Sequence, residues 1–262
     1  MLLSPAILMR FFMQNILEIR SAEFAAMKRA EIKEQLFKVS PNIKSFEITC
    51  ISGEDLRLLF MLYDQVFFDN WFLKNYKGKM KFSLSGKMTK SAGKTLCPRN
   101  IRNISQESLV IEIRIGVDFF LNYGRMAQSN EVCGLRVTNS LDALLLVFEH
   151  EFCHVIEFLM FKTSSCSGKR FKLIAANLFG HKESYHKLPT DSQVAGKLMG
   201  LKAGMQVAFV HKDKRLTGIV YRINKRATVL VKDKNGAFAD KKGTRYAKYY
   251  VPLSLLSVQQ RS

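Results

Sequence analysis

The segment Val147–Phe171, VFEHEFCHVIEFLMFKTSSCSGKRF, contains the pattern H-E-F-C-H, which begins at His150 and ends at His154. In an α-helix, residues four apart lie one turn above each other on the same face, about 6 Å apart along the axis. His150 and His154 can therefore direct imidazole nitrogens at one metal ion, and Glu151 directly follows the first of them. The pattern predicts a metal-binding helix.

The same spacing is typical of zinc peptidases, in which the glutamate acts as the general base. The chain has five histidines and 22 acidic residues, so the chance of an accidental H-E-x-x-H is below ~0.01. Burying two histidines and several glutamates on one apolar helix is also costly unless these groups find partners. We therefore predict that His150 and His154 bind Zn2+ and that Glu151 is catalytic. Glu157 could hold a ligand histidine or form a salt bridge.

A closed zinc site needs a third protein ligand, and the sequence leaves the choice open. Cys166 supplies a thiolate, which binds zinc well. His181 follows a predicted helix of about thirteen residues, whose length would carry it ~20 Å from the start of that helix, and we therefore prefer Cys166. A site of two histidines and water remains a further alternative, as does an ordinary buried thiol at position 166.

The overall composition predicts a packed globular protein with a polyanionic partner. Of the 262 residues, 47% are apolar, and the formal net charge is +19. So large an excess favours nucleic acid first and an anionic membrane surface second. No apolar run approaches ~18 residues, so we predict no membrane span.

The cysteines favour an intracellular protein, nuclear or cytoplasmic. Five cysteines are scattered along the chain with no C-x-x-C pair, which argues for a reducing compartment and against a disulfide framework. The amphipathic N-terminal segment leaves organellar targeting open as a second interpretation. Four glutamates in that segment instead favour an ordinary helix: Glu18, Glu23, Glu31 and Glu34.

Changes of residue pattern along the chain predict four segments. Residues 1–48 form an N-terminal helical extension, and residues 49–189 form a domain that mixes helices and strands. Residues 190–203 form a polar, glycine-containing linker. Residues 204–258 contain five short apolar or aromatic runs separated by turns, the pattern of a small SH3-like or Tudor-like β-barrel.

Local signals place the main elements of the mixed domain. Ser52 supplies cap chemistry for one helix, and Asn139 or Ser140 caps the buried helix that runs through Phe161. Alternating apolar residues predict a strand in KMKFSLSGKMTKSAG, followed there by a glycine-centred turn, and a second strand in SLVIEIRIGVDFF. A further helix, GKRFKLIAANLF, should end at Gly180.

The C-terminal segment concentrates positive charge. Residues 203–262 hold thirteen lysines and arginines against three aspartates, a net charge of +10. Basic turns interleaved with aromatic side chains suit phosphate contact and base stacking. We predict nucleic-acid contacts from Lys212, Lys214, Arg215, Arg222, Lys225 and Arg226.

Five separated pieces of residues 52–187 resemble the SprT-like (Spartan-type) zinc metalloprotease family. The pieces are LYDQVFFDNWF, FSLSGKMTKSAGKT, VIEIRIGVDFFLN, FEHEFCHVIEF and SGKRFKLIAANLFGH. Their order and spacing are more specific than the H-E-x-x-H pattern alone. The resemblance implies a compact α+β zincin-like metalloprotease domain, with protein substrates that are associated with nucleic acid or crosslinked to DNA.

One position departs from the family pattern. The third histidine ligand of the family falls at Ser167, and serine is a poor zinc ligand. The resemblance therefore leaves two functions open. One is a zinc-dependent endopeptidase in DNA–protein crosslink repair, and the other is a catalytically degenerate SprT-like protein that acts as a nucleic-acid-binding module.

Overall fold

The computed structural model describes residues 14, 16, 18–88, 91–121, 123, 130–185, 200–224 and 226–258. The chain divides into two compact units, Met1–Leu188 and Pro189–Ser262. The first unit combines helices with sheets and the second is built on one sheet, so the predicted α+β class is confirmed. Residues 190–199 of the predicted linker lie outside the described residues, as do residues 1–13, 15 and 17 of the N-terminal segment weighed as a presequence.

The described part of the N-terminal unit contains six α-helices. They are α1 (Ala22–Val39), α2 (Gly53–Phe68), α3 (Trp71–Asn75), α4 (Asp118–Leu121), α5 (Ser140–Phe161) and α6 (Lys169–Phe179). A 3-10 turn spans Ile101–Asn103. None of the described helices has the length and apolar character needed to cross a bilayer.

Side-chain caps fix where the long helices begin. The predicted cap of α2 is present as a capping box between Ser52 and Asp55, which satisfies backbone N–H groups that the first helical turn leaves without partners. Asn139 caps α5 by accepting a hydrogen bond from the N–H of Asp142. At its other end, α6 stops at Gly180, whose φ of 66° is the left-handed conformation that glycine adopts without strain.

A three-stranded sheet accompanies the helices, formed by β1 (Lys79–Ser85), β2 (Gly93–Leu96) and β3 (Val110–Gly116). The strand order is β1-β3-β2. The two predicted strands, β1 and β3, pair in parallel, and β2 pairs antiparallel with β3 at the edge of the sheet. A short hairpin follows, formed by β4 (Asn130–Val132) and β5 (Leu135–Val137).

Helix α5 is the centre of the N-terminal core. Seventeen of its residues are buried, in agreement with the prediction of a helix that is apolar on nearly every side. The ring of Phe152 stacks on Phe60 and Phe68 of α2, with centroids 4.8 and 5.2 Å away. Strand β2 also packs against α5, which brings the edge of the sheet to the H-E-x-x-H turn.

The C-terminal unit contains a six-stranded antiparallel sheet with the order β11-β6-β7-β8-β10-β9. Its strands are β6 (Gln206–His211), β7 (Lys214–Ile223), β8 (Arg226–Lys232), β9 (Phe238–Ala239), β10 (Arg245–Pro252) and β11 (Ser257–Val258). One face of the sheet forms a separate small core that includes Val207, Val220, Val229 and Val251. The predicted change to short strands after residue 204 is therefore observed.

Candidate metal centre

The two histidines of the motif face each other on α5. Nε2 of His150 lies 3.2 Å from Nε2 of His154. His150 is 5% exposed and His154 is half-buried. The buried ring of Phe171, at the start of α6, contacts both imidazoles, with centroids 4.8 and 4.5 Å away. Phe171 therefore packs against both rings and limits their rotation.

Cys166 is the residue that the fold adds to this pair. It lies in the connection between α5 and α6, and its Sγ and one ring nitrogen of each histidine all lie within 4.8 Å of one another. His181 instead directs Nε2 at Glu149, 2.8 Å away, so the expected preference for Cys166 agrees with the geometry. The hydroxyl of Ser167 lies 2.9 Å from that of Ser165.

The far nitrogen of His154 is held by a chain of hydrogen bonds. Nδ1 lies 2.5 Å from the Ser164 hydroxyl, which donates to Oε2 of Glu157 at 2.6 Å. Since the serine proton goes to the carboxylate, Nδ1 must donate to the serine, which leaves the lone pair on Nε2. Arg170 binds the other carboxylate oxygen at 2.7 Å. Glu157 thus forms the salt bridge, with Arg170, and is linked to His154 only through the Ser164 hydroxyl.

Protonation of His154 is disfavoured in this setting. Burial lowers the pKa of His154 to about 4, although the nearby Glu157 carboxylate opposes this change. The ring is therefore neutral at pH 7, which is the form that can donate a lone pair to a metal ion.

Glu151 is buried against the edge strand. Its side chain is 2% exposed, and the Thr95 hydroxyl on β2 donates to Oε2 at 2.7 Å. Burial raises the pKa of Glu151 to about 7, while the hydrogen bonds from Thr95 oppose that rise. A carboxyl group with this pKa can accept and release a proton near neutral pH.

Gly93, also on β2, leaves room for this carboxylate. A Cβ at position 93 would lie 2.5 Å from Oε1 of Glu151 and 2.8 Å from Cγ1 of Val147. These separations are shorter than van der Waals contact, so a larger residue would push the carboxylate aside. Gly93 and Thr95 together fix where the Glu151 side chain lies.

A second buried polar cluster supports α5 one residue before the motif. Glu149 accepts two hydrogen bonds from Arg29 of α1, at 2.7 and 2.8 Å, and one from Tyr63 of α2 at 2.7 Å. Burial opposes ionisation of Glu149, but Arg29 and His181 outweigh it and lower the pKa of that carboxyl. Arg29 also donates to the backbone oxygen of Phe179. Four elements of the unit therefore meet at one carboxylate.

The predicted nucleic-acid residues do not form one cluster. Those that are described are all exposed, and Lys225 lies outside the described residues. Lys212, Lys214 and Arg215 lie at the β6–β7 turn, whereas Arg222 and Arg226 lie at the β7–β8 turn. Along β7, Arg215 and Arg222 are seven residues apart, which separates the two groups by about 23 Å.

Four further residues belong to the candidate site and carry weaker sequence signals. Thr95, Ser164 and Arg170 hold Glu151, His154 and Glu157 through hydrogen bonds, and Gly93 provides space. Gly93 and Thr95 fall in FSLSGKMTKSAGKT, one of the five pieces that resemble the SprT-like family, and that resemblance is a usable signal. The serines of the loop after α5 had none, because single polar residues in loops are common.

The donor set of two imidazoles and one thiolate could hold a metal ion. Two nitrogens bound to one tetrahedral ion, each about 2.05 Å from it, lie about 3.3 Å apart, close to the 3.2 Å between the two Nε2 atoms. The residues present therefore fit a metal ion. Comparison of the chain with protein-family models, with curated proteins and with solved structures finds no match.

Proposed function

We propose that the protein is a SprT-like zinc metallopeptidase, with a zincin-like N-terminal unit and an SH3-like C-terminal unit, and that its substrates are proteins associated with nucleic acid. The observation that carries the proposal is the convergence of His150, His154 and Cys166 within 4.8 Å. A helix that carries two such histidines together with a buried glutamate is the arrangement of zinc peptidases.

The chemistry of the donors supports zinc over other common divalent ions. Imidazole and thiolate are ligands that zinc prefers, whereas magnesium and calcium prefer oxygen. His150, His154 and Cys166 would hold the ion. When bound, zinc acts as a Lewis acid that polarises a carbonyl and activates water.

The residues around Glu151 suit proton transfer. Thr95 fixes one carboxylate oxygen at 2.7 Å, and Gly93 leaves space for the other. Glu151 accepts a proton from the water that attacks the peptide carbonyl and then gives this proton to the leaving amine. Because the group is buried, few competing water molecules reach it, and each of its polar contacts is correspondingly stronger.

The edge strand β2 supports a peptide as the substrate. It pairs on one side only, with β3, in the described sheet, so its other side presents backbone N–H and C=O groups. An extended peptide can add to such an edge by main-chain hydrogen bonds. Since β2 also carries Gly93 and Thr95, a peptide bound there lies beside the Glu151 carboxylate.

The charge of the C-terminal segment supports nucleic acid as the polyanionic partner. Residues 203–262 carry +10, and phosphate contacts by lysine and arginine provide most of the affinity in nonspecific binding. The unit would keep the peptidase close to proteins that are bound or crosslinked to DNA.

One observation favours a second function. Ser167 stands where the SprT-like pattern has its third histidine, and its hydroxyl lies 2.9 Å from Ser165. If Cys166 does not complete the site, the protein is a catalytically degenerate relative that binds nucleic acid without cleaving protein.

Metal analysis and a cleavage assay test both functions. The peptidase predicts one zinc per chain in the wild type and in Glu151→Gln, weaker zinc binding by Cys166→Ser, and cleavage of a DNA-crosslinked protein by the wild type only. Wild-type protein without zinc, or Glu151→Gln as active as the wild type, would overturn it. Nucleic-acid binding without cleavage would support the degenerate alternative.

A further inference from the structure

The face of the C-terminal sheet that points away from its core carries two rows of side chains. Directly opposed residues of antiparallel neighbours point to the same face. Ile219, Leu230 and Lys248 are opposed across β7, β8 and β10. The next position along these strands holds Val220, Val229 and Tyr249, which belong to the core, so the Ile219 row faces outward.

The second outward row holds Arg222, Thr228 and Tyr250. Tyr250 is 67% exposed, and Arg222 is exposed as well. Two strand spacings, about 10 Å, separate Tyr250 from Arg222. The shorter side chain of Thr228 lies between them, so the tyrosine ring and the guanidinium group flank a shallow strip of the sheet.

A β-bulge adds a second exposed ring to this face. The pairing of β7 with β8 shifts between Val220 and Arg222, which makes Tyr221 the extra residue. Bulges re-aim side chains out of the regular alternation of a strand, and Tyr221 is 60% exposed. Exposing two large rings on one side of a small sheet loses burial energy unless a ligand covers them.

Lys248 is oriented by the aromatic residues beside it. Its Nζ lies 3.2 Å from the ring centroid of Phe238 and 5.7 Å from that of Tyr221. These cation–π contacts hold the ammonium group at the outer face, where it can meet an anion that approaches the two tyrosines.

The charge around this face is predominantly positive. Residues 200–258 contain three acidic residues, Asp213, Asp233 and Asp240, and all three lie in connections between strands. No ion pair joins two described residues of this segment. Basic residues stand at both ends of β7, and Lys248 lies on the face between them, so an anionic chain that crosses the face along this strand meets cations at each end and at Lys248.

We propose that the face formed by Tyr221, Tyr250, Lys248 and Arg222 binds single-stranded nucleic acid. The two tyrosines stack on unpaired bases, and Lys248, Arg222 and the basic ends of β7 contact phosphates. A duplex buries its base faces in its own stack and cannot use the rings in this way. This inference rests on the nucleic-acid partner of the proposed function and adds the site and the strandedness.

Binding of labelled oligonucleotides to the full-length chain tests the proposal. The probes are an oligodeoxythymidylate, an oligouridylate of the same length and a duplex of matched length, at several salt concentrations. Single strands should bind more tightly than the duplex, and tighter binding of either the DNA or the RNA strand assigns the sugar preference. Tyr250→Ala and Tyr221→Ala should each weaken single-strand binding about 5- to 150-fold, and Lys248→Gln should lower the salt slope by about 0.7.

Matched controls separate stacking from general effects. Tyr250→Phe keeps the ring and should bind like the wild type. Leu255→Ser removes an apolar side chain that is 59% exposed, in the turn after β10, and should also bind normally. Thermal melting of each variant checks that the fold is intact, which is expected for the tyrosine and leucine variants because those side chains are exposed.

The possible failures can be told apart. Wild-type protein that binds none of the probes at low salt would remove the nucleic-acid partner and this inference together. Binding that persists within twofold in Tyr221→Ala and Tyr250→Ala, or a duplex bound as tightly as the single strands, would overturn this inference alone. Neither result bears on zinc content or peptide cleavage.

Discussion

Nδ1 of His154 lies 2.5 Å from the hydroxyl oxygen of Ser164, while Nε2 of the same ring faces His150 at 3.2 Å. The two nitrogens therefore have separate tasks. One is held by the loop after α5, and the other is left available for a metal ion. Because the Ser164 hydroxyl donates its hydrogen bond to Glu157, the hydrogen-bond chain determines which nitrogen of His154 carries the hydrogen.

Removing the Ser164 hydroxyl should weaken metal binding. In Ser164→Ala, Nδ1 of His154 loses its partner and the ring can rotate or change tautomer. Loss of such a partner typically costs 10- to 100-fold in metal affinity. Zinc titration against a competing chelator measures the change.

Ser165→Ala is the matched control for that experiment. Ser165 reaches Glu157 through its backbone N–H at 3.0 Å, which the substitution keeps. Its zinc affinity should stay close to that of the wild type. Equal zinc affinity in Ser164→Ala and the wild type would contradict the role assigned to the hydrogen-bond chain.

A methyl group at position 93 should impair peptide cleavage. In Gly93→Ala, the new Cβ would lie 2.5 Å from the Glu151 carboxylate, which must move away from its hydrogen bond with Thr95. Displacement of a catalytic group by about 1 Å can cost on the order of 10²-fold in rate. Single-turnover cleavage measures the loss, and zinc content should be unchanged.

The neighbouring variant Lys94→Ala provides the comparison. Lys94 lies on the same strand and is exposed, so its truncation leaves Glu151 in place. Cleavage by Lys94→Ala should remain close to the wild-type rate. If Gly93→Ala cleaves as fast as Lys94→Ala, the carboxylate is not held by the space at position 93.

Local patterns predicted more of this fold than of its polar contacts. The Ser52 capping box and the end of α6 at Gly180 follow from residues within a few positions of each other, so the sequence contains the whole cause. The pair Arg29–Glu149 joins residues 120 positions apart, and no local pattern could reveal it. The proximity of His150 and His154 was predictable because the helical repeat alone brings them together.

The basic residues of the C-terminal unit show a second limit of prediction from sequence. Lys212 and Arg226 were grouped because both lie in lysine- and arginine-rich turns, but consecutive turns of an antiparallel meander lie at opposite ends of the strand between them. That rule was available from the predicted strands. The bulge at Tyr221 could not be predicted from the sequence, because the shift in pairing depends on how β7 pairs with β8.

Loss of the buried ion pair at Glu149 should strongly destabilise the N-terminal unit. In Arg29→Met, the fully buried carboxylate loses its ion pair and both hydrogen bonds from Arg29, and breaking a buried pair in this way costs about 3–5 kcal/mol. Urea unfolding followed by the fluorescence of Trp71, the single tryptophan, measures the free energy of unfolding of this unit.

Another ion pair between α1 and α5 gives a matched control. Lys33 and Asp142 pair at 2.9 Å, but their side chains are 21% and 28% exposed. Lys33→Met should therefore cost about 1 kcal/mol or less. A similar loss of stability in Arg29→Met and Lys33→Met would contradict a special role for the Glu149 cluster.

The cap of α2 should make stability depend on pH in the acid range. Burial disfavours the charged form of Asp55, but hydrogen bonds from Ser40, Asn42 and Ser52 outweigh it and lower the pKa of Asp55 below its ordinary value. A carboxyl whose pKa is lower in the folded state stabilises the fold above its unfolded pKa, near 3.9. That stabilisation is lost as the pH falls through the folded value.

Comparison of the wild type with Asp55→Asn isolates this contribution. The wild type should be more stable than the variant by about 1–2 kcal/mol at pH 7 and at pH 5, and the difference should shrink by pH 3. Asp69→Asn is the control, because the Asp69 side chain is 97% exposed. A difference between the wild type and Asp55→Asn that is the same at pH 3 as at pH 7 would show that the charge of Asp55 does not stabilise the helix start.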